Sequence, residues 1–218
     1  MGRTIVIGDI HGCFDELSDL LELVRLRPDD RVVAVGDLIV KGPKNSEVLD
    51  LFSSDERFTS VIGNHDRVLR QYWRGEPVPL TREQKIAARQ MEPRREAYFE
   101  YLRKLPFTID LGSHLVVHAG IRPGVPLEHQ MAADLTEIRT MSADPEQRKG
   151  VPWYEIYKGE QVVLFGHWPS REPRMAERAI GLDTGCVYGR KLTAYIVESN
   201  EFLSVPARDK YTGKKAEK

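Results

Sequence analysis

The run Thr4-Ile5-Val6-Ile7-Gly8-Asp9-Ile10-His11-Gly12 decides the reading of this chain. Thr4–Ile7 is short, apolar and β-branched, the composition of a buried strand. Gly8 lets the backbone turn sharply and approach a ligand closely. Two polar side chains, Asp9 and His11, follow at once. The same grammar returns twice. Residues 31–35 form a second apolar run ending in Gly36-Asp37, and residues 59–62 a third ending in Gly63-Asn64. Helical patterns over Phe14–Val24 and residues 46–52 fill the intervals. Strand, crossover helix, strand is the signature of an α/β fold. In such folds ligands gather at the carboxyl ends of the strands.

Further along, residues 71–104 are strongly charged and helical, interrupted by Pro77, Pro79 and Pro93. Their basic side chains (Arg74, Arg82, Lys85, Arg89, Arg94, Arg95, Arg103, Lys104) read as the solvated face of a helical insert, or as a lid that collects polyanions. Residues 107–111 and 114–118 predict a hairpin turning at Gly112-Ser113. More strands are predicted over Val162–Phe165 and residues 179–182, 192–198 and 202–205. One domain over residues 1–206 is expected, with 71–104 as its insert. Residues 207–218, polar and Lys-rich, are expected to fray.

A chain of 218 residues can bury roughly 70% of its unfolded surface and needs no covalent staple. Thirty-two basic against 33 acidic side chains leave a net charge of -1. A nucleic-acid polymer is therefore not an expected partner, because its binders usually carry a basic excess. Cys13 and Cys186 are too few for a disulfide framework and read as small buried hydrophobes of a reduced, cytoplasmic protein. The longest apolar stretch, residues 32–40, is broken by Gly36 and Asp37 and cannot span a membrane. A strand so near the first residue leaves no signal peptide to expect. No obligatory partner is evident.

The chemistry-bearing residues cluster in the pattern. Of six histidines, four sit at predicted strand ends beside a glycine: His11, His65, His118 and His167. His114 and His129 lack that setting and read as ordinary surface or turn residues. Adding Asp9, Asp37 and Asn64 gives seven oxygen or nitrogen donors at the mouth of the strands. A tetrahedral site takes four, so seven suit two divalent cations sharing a carboxylate. Mixed Asp, Asn and His donors favour manganese, iron, zinc, cobalt or nickel over calcium.

Gly8-Asp9-x-His11-Gly12, Gly36-Asp37-(x)4-Gly42, Gly63-Asn64-His65-Asp66, His118-Ala119-Gly120 and Gly166-His167 together resemble the five blocks of the calcineurin-like metallophosphoesterases. The match is closer to the phosphoprotein-phosphatase branch and its diadenosine-tetraphosphatase relatives. It spans residues 3–198. The resemblance implies a four-layer α/β/β/α sandwich with a helical insert. It also implies that Asp9, His11 and Asp37 hold a first metal, manganese foremost. Asp37, Asn64, His118 and His167 would hold a second, with Asp37 bridging. Two cations roughly 3.5–4 Å apart clamp a phosphate and sharpen a water to a pKa near 7. His65 would protonate the departing oxygen or stabilise its charge, a role worth typically ~10²–10⁴ in rate. Asp66 of the same block is counted with it as catalytic.

Departures from the family pattern are informative. Protein phosphatases of this branch carry Gly-Asp-x-x-Asp-Arg-Gly in the second block, whereas this chain has Gly36-Asp37-Leu38-Ile39-Val40-Lys41-Gly42. Val40 removes the carboxylate that orients the histidine, and Lys41 replaces a bidentate fork by a point charge. Both changes resemble the diadenosine-tetraphosphatase subgroup. Phosphate grip then falls to Lys41 and Arg139. The activity implied is hydrolysis of nucleoside polyphosphates such as diadenosine tetraphosphate, together with phosphomonoesters. A phosphoprotein or an inorganic polyphosphate is the alternative substrate. Rival chemistries fail: a cysteine phosphatase needs Cys-(x)5-Arg, but Asp19 and Leu192 stand where the arginine belongs, and no phosphate-binding Gly-(x)4-Gly-Lys-Ser/Thr loop occurs.

Overall fold

A computed structural model describes residues 2–213. β1 (Thr4–Ile7) is the middle strand of a five-stranded sheet. β2 (Arg31–Ala34) and β3 (Phe58–Ser60) follow it in parallel, with Ile5 opposite Val32 and Ile7 opposite Ala34. A second sheet holds β4 (Thr108–Asp110), β5 (His114–Val117), β6 (Val162–Phe165), β7 (Arg174–Ala176) and β8 (Ala179–Gly181). Its order is β4-β5-β6-β8-β7, the three inner strands parallel and the two edges antiparallel. The chain then returns to the first sheet as β9 (Lys191–Ile196), antiparallel beside β1, and β10 (Glu201–Pro206), antiparallel to β9 at the edge.

Strand periodicity sorts the side chains into layers. Ile5, Ile7, Val32 and Ala34 pack outward against helices, while Val6, Val33 and Val35 meet Val116, Leu164 and Ile180 of the second sheet. On the far face Leu115, Val117, Val163 and Phe165 pack with Leu135, Ile138 and Trp153. The first helical layer is α1 (Phe14–Val24), α2 (Asn45–Ser54), α3 (Asn64–Trp73), α4 (Arg82–Met91) and α5 (Arg95–Lys104). The other is thin, only α6 (Ala132–Glu137), α7 (Trp153–Ile156) and long loops. The fold is the expected α/β/β/α sandwich.

Four local expectations are corrected. The eight basic side chains of 71–104 are exposed, as expected of a solvated face. Yet Ala87, Ala88, Met91, Tyr98 and Leu102 join the same core as α1 and α2, so the segment is built into the helical layer. Residues 207–213 do not fray: the Arg208 and Tyr211 backbone N–H groups donate to Glu16 Oε1 and the Val187 carbonyl. Residues 214–218 of the expected tail lie outside the described residues. His114 is buried in β5, its ring 5.8 Å from that of Tyr195. β7 was not expected, because an edge strand with one polar face carries little apolar signal.

Arg3 and Asp30 tie β1 to the turn before β2. The Asp30 carboxylate is fully buried, accepts the backbone N–H groups of Arg3 and Arg27, and takes the Arg3 guanidinium at 2.5 Å. That guanidinium holds the carboxyl well below the usual carboxylate range. Its stabilisation is complete above the unfolded value of about 3.9 and drains away as the pH falls toward the lower folded value. Asp30→Asn should cost about 2 kcal/mol at neutral pH. It should also flatten the acid limb of stability measured by thermal unfolding against pH.

Candidate active site

The strand-end residues meet. Three of them, His11, Asp37 and His167, and the neighbouring Val40 and Lys41 sit on turns too tight for ordinary backbone, with φ between 49° and 77°. For a β-branched side chain such as Val40 that conformation is rare. Backbone strain of this kind collects at functional sites and costs of order 1–3 kcal/mol per residue. Close approach adds to it. A side-chain carbon at Gly63 would fall on the Asp37 backbone nitrogen and Oδ1, and one at Gly166 would fall on Asp9 Oδ1.

Three imidazoles are locked in the same manner. His11 Nδ1 reaches the Ile39 carbonyl (3.2 Å), His118 Nδ1 the Val35 carbonyl (2.9 Å) and His167 Nε2 the Glu137 carbonyl (3.1 Å). A carbonyl only accepts, so each of these nitrogens carries the proton. The other nitrogen of each ring is a bare lone pair turned into the cluster. Asp37 Oδ2 lies 3.5 Å from His11 Nε2 and 3.6 Å from His118 Nε2, between the two. Asn64 Oδ1 lies 3.0 Å from His118 Nε2 and 3.2 Å from His167 Nδ1. Asp9 Oδ2 stands 3.9 Å from His11 Nε2.

Ring lone pairs therefore face carboxyl and amide oxygens, groups that are all acceptors when the acids are ionised. Burial pushes Asp37 up to about 7. Asp9 rises well above its ordinary value through burial and the neighbouring Asp183 and Asp37. Burial drives His118 down to about 4, and His11 and His167 well below their ordinary value. Acids short of negative charge and imidazoles short of positive charge are relieved together by divalent cations, which favour the ionised acid and the neutral ring. The donor set fits two of them, with Asp37 at the shared position. Lys41 already brings positive charge to the cluster, its ammonium donating to His11 Nε2 at 2.9 Å.

His65 lies beside this group, its ring 5.2 Å from that of His11. Its backbone N–H donates to Asp37 Oδ1 at 2.9 Å. Gln84 orients its ring. In the capping box of α4 the Gln84 side-chain oxygen accepts the Thr81 N–H (2.9 Å), which leaves the amide nitrogen to face His65 Nδ1 at 3.4 Å. Nδ1 must then accept, so the ring proton sits on Nε2. Gln84 supplies the orientation that Val40 cannot.

Asp66 is placed behind the cluster. Its carboxylate accepts the N–H groups of Gly63 (3.1 Å), Leu38 (3.3 Å) and Ile39 (3.4 Å). It positions the two turns that carry Asp37 and Asn64 and takes no part in the open cavity. That cavity, about 720 Å³, is lined by Lys41, Arg139, Arg148, Arg190, Trp168 and Tyr188, by the donors other than His118, and by the carboxylates of Glu137, Glu146 and Asp183. Arg139 lies just past the end of α6, donates to the His167 carbonyl at 3.5 Å and has its pKa lowered by burial and by Arg148. Sequence reading missed Asp183, Gln84 and the two further arginines. Asp183-Thr184-Gly185 repeats the strand-end grammar after β8, and Thr81-x-x-Gln84 is a readable capping box.

The sequence profile of the calcineurin-like phosphoesterases matches residues 2–202. The chain belongs to that family. The phosphoesterase is 32% identical to the asymmetrical bis(5'-nucleosyl)-tetraphosphatase PrpE of Halalkalibacterium halodurans, over 96% of both chains. It is 31% identical to the protein of the same name from Bacillus subtilis, over 93% of both. A crystal structure of a candidate diadenosine tetraphosphatase superposes with a TM-score of 0.79 at 32% identity, over 94% of both chains. The phosphoesterase is thus a hydrolase with divalent metal ions as cofactors.

Two substitutions separate holding metal from moving protons. Asp37→Asn should lower bound metal more than Asp9→Asn and abolish turnover, read by elemental analysis and initial rates on the same preparations. Gln84→Ala should leave metal content unchanged and slow hydrolysis of alkyl phosphates about tenfold or more, with aryl phosphates far less affected.

Proposed function

We propose that the phosphoesterase hydrolyses the phosphoanhydride of dinucleoside tetraphosphates, diadenosine tetraphosphate foremost, and phosphomonoesters as secondary substrates. One observation carries this reading: four cationic side chains, Lys41, Arg139, Arg148 and Arg190, line the cavity that opens on the donor cluster, outnumbering its two glutamates, Glu137 and Glu146. A single terminal phosphoryl group needs one guanidinium fork. A chain of phosphates needs positive charge along its length. Trp168 and Tyr188 offer aromatic surface in the same cavity for a nucleoside. The names of the similar PrpE proteins support the substrate class, and their asymmetrical label supports cleavage into a nucleoside monophosphate and a triphosphate.

Asp9, His11, Asp37, Asn64, His118 and His167 would hold the two cations, manganese foremost. When bound, these supply neutralising charge to the phosphate and an acidified water. The remaining work belongs to the chain. Lys41, a point charge on a flexible stem, follows several positions along a polyphosphate, and Arg139 fixes one phosphoryl group. His65 donates an Nε2–H hydrogen bond to the departing oxygen and stabilises the charge that develops there. Burial and Lys41 hold its pKa well below the ordinary histidine value. A departing nucleotide, whose phosphate is far less basic than an alkoxide, leaves with a hydrogen bond alone. A serine alkoxide would not.

Product analysis decides the matter. Diadenosine tetraphosphate should yield AMP and ATP, at a kcat/KM above that for phosphoserine peptides. Two ADP molecules would refute the asymmetry, and a preference for the peptides would hand the site to phosphoproteins. Lys41→Ala and Arg139→Ala should each lower kcat/KM for diadenosine tetraphosphate about tenfold to a hundredfold, and less for p-nitrophenyl phosphate.

A further inference from the structure

Two residues beyond His11 the chain reaches a second group of donors that the dimetal cluster does not use. The thiols of Cys13 and Cys186 and the carboxylate of Glu16 place three donor atoms within 4.8 Å of one another. All three side chains are buried, Glu16 completely. The Arg208 backbone N–H and the Tyr211 hydroxyl both donate to Glu16 Oε1, each at 2.8 Å. Oε2 is buried with no hydrogen-bond partner. The Arg208 guanidinium is spent elsewhere, on Asp19 at 2.7 Å. A carboxylate oxygen shut away from water without a partner is costly, and here it shares its enclosure with two thiols that have no strong partner either.

We propose that Cys13, Glu16 and Cys186 bind a zinc ion, separate from the two catalytic cations. Two sulfurs and one carboxylate are soft enough to select zinc over magnesium, calcium or manganese. Three protein ligands leave one position of a tetrahedron, and the Tyr211 hydroxyl already sits on the same carboxylate. The charge closes. Zinc displaces one proton from each thiol, both released to solvent. The buried group carries one negative charge before, from the carboxylate, and one after, from a divalent cation with three anionic ligands. Such an ion would clamp the segment leaving His11 to the loop carrying Asp183 and Tyr188, and both to the turn around Tyr211.

Cobalt reports thiolate ligation directly, because the oxygen and nitrogen donors of the dimetal cluster cannot give a sulfur-to-cobalt charge-transfer band. The full-length protein, stripped by chelator and kept anaerobic under reductant, is titrated with cobalt(II). The expected result is a near-ultraviolet charge-transfer band with the intensity of about one thiolate-bound cobalt per chain, complete by about three equivalents in all and bleached by added zinc. Cys186→Ser should abolish the band and lower zinc content by about one ion per chain. Wild-type protein that saturates with cobalt and shows no such band would overturn the proposal. So would thiols missing from a denatured titration with a mass two hydrogens low, which marks a disulfide instead. The wild-type titration stands alone should the variant misfold.

Discussion

The Asp9 carboxylate accepts the backbone N–H of His167 with both oxygens at 3.1 Å, and that contact joins the ends of the two sheets. Asp9, His11, Asp37 and Asn64 follow strands of one sheet, and His118 and His167 follow strands of the other. The cluster therefore exists only when the sheets pack in one register. Valines and leucines between the layers set the spacing, and Asp9 with His167 fixes the final alignment. Gly166 is required because the strands come so close there that a side chain would land on the carboxylate.

Once the sheets are aligned, the turns are held in conformations they would not choose. Left-handed backbone at His11, Asp37 and His167 aims lone pairs inward where solvent cannot balance them. Asp66 resists relaxation by gripping both turns through their N–H groups. The site is a scaffold biased toward cations before any arrive, and the rigidity comes from hydrogen bonds a shell away from the donors.

Much of this was legible in the residues. The strand, glycine and polar-residue sequence marks where the chain must turn, and each such turn in an α/β sheet points at the same mouth; hence all six proposed ligands and His65 could be read before any coordinates. Gln84 could not. Its capping box is visible in sequence, but its approach to His65 depends on how α4 packs on α2 and α3, which is tertiary information. Asp66 neighbours His65 in sequence, but its position in the first turn of α3 turns it back toward the loops, where it accepts from Leu38, Ile39 and Gly63. The fate of residues 71–104 turned on the same gap. Charge is counted easily along a chain, whereas the few apolar residues that bury a helix, here Ala87, Ala88 and Met91, are outnumbered in any composition.

The contact of Gln84 with His65 ties the orientation of that imidazole to the end of a helix. First turns are where helices open most readily, and Thr81 and Gln84 hold each other only through two hydrogen bonds. When that turn unwinds, Gln84 leaves and the imidazole is free to exchange its proton between nitrogens. Thr81 and Gln84 stand on the wall of the same cavity. Orientation of the imidazole proposed to support the leaving group is thus tied to the integrity of one helix turn.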